Sequence, residues 1–317
     1  VYEDLSIRYQ EHIAAAKAQL PAENFWAIPI APEMEIDEND ILQASAHSDI
    51  AIVTLGRMSG EGNDRHSGKG DYRLSDLEIA LVGDVCRVFH GQDKKVVIIL
   101  NMGDAIELTG WDHLPDAILM AWLPGQEAGN AVADIVSGKV NPSGKLPMTL
   151  AAKYEDIPSS ANFGVSPGET NAVRYEEGMM VGYRYFTTAD ISPAYPFGYG
   201  LSYTTFDYSD CRCNMNEDGS ISISLNVNNS GAVAGKDVVQ VYVHKPEIFG
   251  PRPARELCGF HKTSELAPGE TEAINITIPR DNLKQWNTEE GCWCYPEEGY
   301  TIHIGTSSED IRFSHSL

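Results

Sequence analysis

The chain has 317 residues, of which 42% are apolar and 22% charged, an ordinary globular balance, and such a length accommodates about two domains. Lys and Arg number 23 against 46 Asp and Glu, a formal charge of −23, which excludes the basic face of a nucleic-acid binder and docking on an anionic membrane. A neutral or cationic partner is left, and for an enzyme a neutral small molecule is the common case.

In chain order, Tyr2 to Leu20 reads as a helix, Pro21 to Pro32 as a linker and Asn39 to His47 as a second helix. Asp49-Ile50-Ala51-Ile52-Val53-Thr54-Leu55 is a buried strand. A helix starts at Ser75, with Glu78 completing a capping box, and stops at Gly91. Lys95 to Asn101 and Ala117 to Trp122 are further strands, and a helix follows near Gln126–Ser137, closed by Gly138. Near-continuous apolar strands separated by helices predict an α/β domain, a mostly parallel sheet covered by helices. The chain opens on a helix and on Val1 rather than Met, which reads as a processed piece whose sheet lacks a first strand lying upstream. No window approaches the ~18–20 apolar residues of a membrane span, and no signal-peptide pattern opens the chain.

Beyond Tyr203 the apolar period changes to two. Ser220 to Val227 alternates strictly, Asn228-Asn229-Ser230-Gly231 is a turn, Val238 to Val243 and Ala273 to Ile278 are strands, and Tyr300 to Ile304 closes the set. This pattern predicts an all-β sandwich of immunoglobulin or fibronectin type. The expected domains are therefore 1–203, an α/β sandwich, and 204–317, a β-sandwich.

The six cysteines are Cys86, Cys211, Cys213, Cys258, Cys292 and Cys294. The two Cys-x-Cys pairs lack the Cys-x-x-Cys knuckle of a zinc site, and the nine histidines show no ligand spacing, so neither a metal nor a cofactor is expected. Free thiols in a reducing compartment, the cytoplasm, are the favoured reading. A bridge between the Cys211/Cys213 strand and the Cys292/Cys294 segment is the alternative.

The segment after the first strand, Gly56-Arg57-Met58-Ser59-Gly60-Glu61-Gly62-Asn63-Asp64-Arg65-His66-Ser67-Gly68-Lys69-Gly70-Asp71, is unusual. It leaves the carboxyl end of a strand, where open α/β sheets place their ligands. Glu61, between two glycines, suits a general acid that must reach a leaving oxygen. Two other readings stand beside that one: a solvated surface loop, and a phosphate cradle. Gly68-Lys69-Gly70 lacks the Ser/Thr that a P-loop needs after Lys. Arg57, Met58 and Ser59, which precede Glu61, are candidates to line a ligand pocket or to scaffold the loop, and Asp64 and Arg65 are candidate loop-internal ion-pair partners holding Glu61. Asp71, Asp76 and Glu78 read as helix-initiating acids. Trp111 and Trp122 could stack on a ligand ring, although core packing suits Trp122 better. Packing also suits Tyr183, Tyr185, Tyr195, Tyr199 and Tyr203 better than ligand binding.

Gly60-Glu61-Gly62-Asn63-Asp64-Arg65, the Ser75 helix and Lys95-Val96-Val97-Ile98-Ile99-Leu100-Asn101 resemble the second domain of family 3 glycoside hydrolases. The resemblance continues through Ala121-Trp122-Leu123-Pro124-Gly125-Gln126-Glu127, Gly138-Lys139-Val140-Asn141-Pro142-Ser143-Gly144-Lys145-Leu146-Pro147, Gly182-Tyr183-Arg184-Tyr185-Phe186 and Tyr195-Pro196-Phe197-Gly198-Tyr199-Gly200-Leu201-Ser202-Tyr203. Glu256-Leu257-Cys258-Gly259-Phe260 and Leu266-Ala267-Pro268-Gly269-Glu270 are similar to that family's fibronectin type III-like domain.

The resemblance implies a retaining β-glycosidase, in the first place a β-glucosidase, acting on terminal non-reducing β-glycosides such as oligosaccharides or aryl β-glycosides. It puts the acid/base at Glu61 and the Asp nucleophile on a barrel domain. Nothing in this chain resembles the barrel, so no nucleophile is expected here, and the chain alone is expected to be inactive. Its expected partner is the barrel on another segment or chain; a homo-oligomer is compatible with this, and nucleic acid and membrane are not expected partners. The rival from another class is a non-catalytic carbohydrate- or protein-interaction module.

Overall fold

In the computed structural model, residues 3–19, 31–57, 65–163 and 174–317 are described. The chain divides into two compact units, Val1–Val132 and Ala133–Leu317.

The first unit opens with α1 (Glu3–Ala18), which buries no side chain, and α2 (Glu38–Ala46), capped by the Asp37 carboxylate on the Asp40 N–H. Three parallel strands follow: β1 (Ile50–Arg57), β2 (Lys95–Met102) and β3 (Ala117–Met120), adjacent in that order. Between β1 and β2 runs α3 (Asp76–His90), which packs on both strands and on α2. Its start is the capping box expected from the sequence: Ser75 Oγ accepts from the Glu78 N–H and the Glu78 carboxylate accepts from the Ser75 N–H. Val82, Val85, Cys86, Val88 and Phe89 recur at helical spacing and are buried. In β2, Val96, Ile98, Ile99, Leu100 and Met102 are buried, as a central parallel strand requires. β1, at the sheet edge, alternates instead and leaves Ile50 and Ile52 exposed. The next helix, α4 (Ala128–Val136), begins in this unit and ends in the second.

The second unit carries α5 (Tyr183–Thr188) and the all-β part. β4 (Phe206–Met215), β5 (Ile221–Asn229) and β8 (Thr271–Ile278) form a three-stranded antiparallel sheet in the order β4-β5-β8. β6 (Val238–His244), β7 (Glu256–Lys262), β11 (Thr301–Gly305) and β12 (Ile311–Ser316) form the other, in the order β12-β11-β6-β7. Alternate residues of both sheets, among them Ile221, Ile223, Leu225, Val239, Val241, Ile274, Ile276, Ile302 and Ile304, meet in one core. The strand ending at Ile304 does not close the set, because β12 follows and pairs with it. The strand expected at Cys211/Cys213 is β4, and the all-β part gains β7 and β12 over the strands read from the sequence. β4 escapes a period-two reading because its register slips between Ser209 and Arg212, where Asp210 has φ +53°.

Residues 138–203 group with the sandwich, and specific bonds explain why. Asn141 accepts from the Ser202 hydroxyl (3.0 Å) and the Tyr203 N–H (2.8 Å), and donates to the Ala234 carbonyl (3.0 Å). The Lys145 ammonium lies 2.9 Å from the Asp237 carboxylate, with both side chains mostly buried, and also donates to the Gly200 carbonyl. Gln240, 4% exposed, donates to the carbonyls of Gly198 (3.1 Å) and Thr306 (2.5 Å) and accepts from the Tyr242 hydroxyl (2.5 Å). Tyr183 stacks on Phe197 at 4.6 Å, meets Tyr242 edge-on at 5.8 Å, and its hydroxyl accepts from the Leu257 N–H.

Gly198 has φ +82°, and a Cβ there would overlap the Gln240 side chain. Gly198→Ala is therefore expected to destabilise this unit by about 3 kcal/mol. Urea unfolding checks it: an unchanged midpoint would contradict the close approach.

Candidate active site

Parallel strands present their carboxyl ends on one side, and Arg57 is the last residue of β1, in register with Met102 at the end of β2. Its guanidinium turns onto α3. Nη1 donates to Glu78 Oε1 at 2.6 Å, Nη2 to Oε2 at 2.8 Å, and Nε to the Asp71 carbonyl at 2.7 Å. The two charged side chains are 7% and 9% exposed, so the pair is buried and bidentate. Burial opposes the charge on Glu78, but the Arg57 guanidinium and the Ser75 N–H outweigh it and hold the carboxyl below its usual range.

Arg65 forms the second anchor. Its Nε donates to Asp71 Oδ1 at 2.5 Å and its Nη1 to the Ala105 carbonyl at 2.5 Å. The His66 N–H adds a bond to Asp71 Oδ2 at 2.6 Å. The Arg65 Nη2 is buried and has no hydrogen-bond partner among the described residues. Burial opposes ionisation of Asp71, yet the His66 N–H and the Arg65 guanidinium overcome it and lower its pKa. Asp71 thus receives Arg57 on its carbonyl and Arg65 on its carboxylate. It is not a helix-initiating acid, as the sequence reading had it, because α3 begins five residues later with Ser75 as its cap. Asp76 does lie in the first turn of α3, and Lys69 reaches it at 2.5 Å.

Of the residues singled out by sequence, Met58, Ser59, Glu61 and Asp64 lie outside the described residues. Arg57 and Arg65 flank that stretch, and Asp71 brings the two together. The partners Asp71 and Glu78 escape sequence reasoning as anchors: Glu78 is already accounted for by the capping box, and no spacing rule connects residues 57 and 78. Trp111 belongs to the core, 5% exposed, with its indole N–H on the Glu107 carbonyl at 2.9 Å. Trp122 differs from the core position expected of it. It follows the end of β3, is only half-buried, and has φ +54°, a left-handed conformation that costs a bulky residue strain.

Glu78→Gln would leave the Arg57 charge buried without its counter-ion, and about 3–5 kcal/mol of stability should be lost. The pH dependence follows from the lowered pKa of Glu78. Its contribution is present above the unfolded-state value of about 4.3 and is lost as pH falls through the lower folded-state value. Stability measured from about pH 6 to pH 3 should fall less steeply in Glu78→Gln than in the parent; equal slopes would contradict the pairing.

Comparison with known proteins agrees with this architecture. The profile of the glycosyl hydrolase family 3 C-terminal domain matches residues 6–203, and that of the fibronectin type III-like domain matches residues 237–308. Beta-glucosidase BoGH3A of Bacteroides ovatus is 35% identical over 294 residues, 89% of this chain and 38% of that protein. Thermostable beta-glucosidase B of Acetivibrio thermocellus is 38% identical over 291 residues, 89% of this chain and 37% of that protein. The solved structure of beta-glucosidase 3B from Thermotoga neapolitana in complex with glucose superposes with a TM-score of 0.89 at 39% identity, covering 99% of this chain and 44% of the other. The chain thus spans well under half the length of these relatives, and over that span its sequence and its fold place it in glycosyl hydrolase family 3, in the part that comprises the C-terminal and fibronectin type III-like domains.

Proposed function

We propose that this chain supplies the general acid/base of a retaining β-glucosidase, with Glu61 as that group. A barrel domain on another segment or chain supplies the Asp nucleophile and most sugar contacts. The observation that carries the reading is the double anchor: Arg57 and Arg65, on either side of the stretch containing Glu61, both bond Asp71 beside the carboxyl end of β1. A general acid must be held within hydrogen-bond reach of the glycosidic oxygen, and a buried ion pair at one flank of its segment and a part-buried one at the other limit how far that segment can stray. Relatives over this span bear the name beta-glucosidase, which supports glucose at the reacting subsite.

In the reaction, Glu61 first protonates the leaving oxygen while the barrel Asp attacks the anomeric carbon. Its carboxylate then takes a proton from the water that releases the sugar from the nucleophile. Met58 and Ser59 are the candidate sugar contacts. Arg57, engaged with Glu78, acts by positioning the segment. Arg65 supports it from the far side, and its remaining Nη2–H is available to a carboxylate such as Asp64. The proposed domains are 1–203 and 204–317, supported by the extents of the two family matches. A reducing, cytoplasmic setting is supported by all six cysteines being free thiols. Among the described residues no helix is long and apolar enough to cross a membrane.

The test uses the chain assembled with its barrel polypeptide and a series of β-glucosides with leaving groups of graded acidity. Glu61→Gln should lower kcat/KM for cellobiose by roughly 10²–10⁴-fold and for a dinitrophenyl glucoside far less, since kcat/KM reports the first step and that leaving group needs no proton. An equal loss of kcat/KM for both substrates, or for neither, contradicts the assignment. An assembled enzyme indifferent to Glu61 would favour a non-catalytic interaction module.

A further inference from the structure

The hairpin of β9 (Gln285–Asn287) and β10 (Cys292–Cys294) forms a two-stranded sheet of its own, apart from the two sheets of the sandwich. Its register pairs Cys292 with Asn287, Trp293 with Trp286 and Cys294 with Gln285. Side chains alternate along a strand, so the cross-strand tryptophans share one face, edge-on at 5.5 Å, and the two cysteines share the other. The sulfurs lie 3.6 Å apart.

The turn brings a third donor to them. The Asn287 carbonyl accepts from the Gly291 N–H at 2.9 Å, and the Asn287 side-chain oxygen accepts from the N–H groups of Glu289 (3.0 Å) and Glu290 (3.3 Å). Gly291 has φ +66°, which lets the chain reverse directly into β10. The Glu290 carboxylate then lies 3.7 Å from Cys292 Sγ. Two sulfurs and one carboxylate oxygen lie within 4.8 Å of one another, the one such group of potential ligands among the described residues.

We propose that Glu290, Cys292 and Cys294 form a binding site for one borderline or soft divalent cation of the Zn²⁺/Cd²⁺ class. Two metal–sulfur bonds of about 2.3 Å at a tetrahedral angle set the sulfurs about 3.8 Å apart. The observed 3.6 Å is close to that bite, whereas a disulfide requires about 2.05 Å. The carboxylate gives a third ligand and leaves one position for water, and Cys292 is exposed, which gives the ion a way in. Two thiolates and a carboxylate form an anionic set, and each thiol loses its proton to solvent as the metal binds. The other Cys-x-Cys pair differs despite equal spacing: Cys211 and Cys213 pack against the sandwich core. Spacing rules for zinc knuckles overlook the β10 site because its ligands come from one face of a strand and the turn before it.

The test is a titration of the reduced, chelator-treated chain with Cd²⁺, followed by the ultraviolet thiolate-to-metal charge-transfer band and by proton release, with Zn²⁺ measured by competition. One Cd²⁺ per chain and about two protons released are expected. Cys292→Ser and Cys294→Ser should each weaken binding at least ~100-fold, Glu290→Gln about tenfold with the band retained, and Cys211→Ser not at all. Unfolding midpoints of these variants should match the parent, which keeps loss of fold separate from loss of site. The proposal is overturned if the parent shows no band, if Cys292→Ser binds as the parent does, or if thiol counting shows the pair closing to a disulfide in the presence of Cd²⁺.

Discussion

Two arginines meeting at one aspartate are the constraint on which the candidate site at the carboxyl end of β1 depends. Asp71 offers its carbonyl to Arg57 and its carboxylate to Arg65. Arg57 is in turn held by both oxygens of Glu78, whose carboxylate also closes the cap of α3. Strand end, helix start and both flanks of residues 58–64 therefore belong to one hydrogen-bonded network. Guanidinium groups this buried are stable only when well paired, so the network resists partial disruption: losing one partner strands a charge.

The second unit uses its motifs differently. Asn141 and Lys145, from a stretch that contributes to the family resemblance, bond Ser202, Tyr203, Ala234, Asp237 and Gly200 rather than any ligand. Tyr183, Phe197 and Tyr242 add a ring cluster, and Gln240 satisfies carbonyls of Gly198 and Thr306 that would otherwise be buried unpaired. A recognisable motif is thus, in this half of the chain, mostly a record of polar groups that must be satisfied where the 138–203 segment lies on the sandwich.

Much of the fold was legible in advance, and the reasons are local. The capping box at Ser75, the apolar run of β2 and the strict alternation of β5 each carry a short-range signature, and each reappears in the structure. The full extent of β4 and the existence of β7 were not legible, because a register slip and a half-exposed, glycine-containing segment blur period two. The division of the chain was read from the change of period near residue 203, whereas compactness groups residues 133–203 with the sandwich through bonds between distant positions. At the candidate site, the flanking arginines were legible as polar residues of an unusual loop, but their partners were not. The pairs 57–78 and 65–71 are set by tertiary packing, which no one-dimensional spacing encodes. The left-handed backbone of Trp122 likewise has no sequence signal, since a bulky residue is the last that propensity would place there.

The chemistry proposed for Glu61 requires two carboxyl groups on opposite sides of one sugar, one on this chain and one on the barrel. The most direct measurement is a crystal structure of the assembled enzyme with a bound glucoside analogue. A separation of about 5–5.5 Å between the Glu61 carboxyl and the barrel aspartate, with Glu61 facing the glycosidic oxygen, is the result this account predicts. A separation of about 6.5–9.5 Å, which leaves room for an attacking water, or another carboxyl in that place, would contradict it.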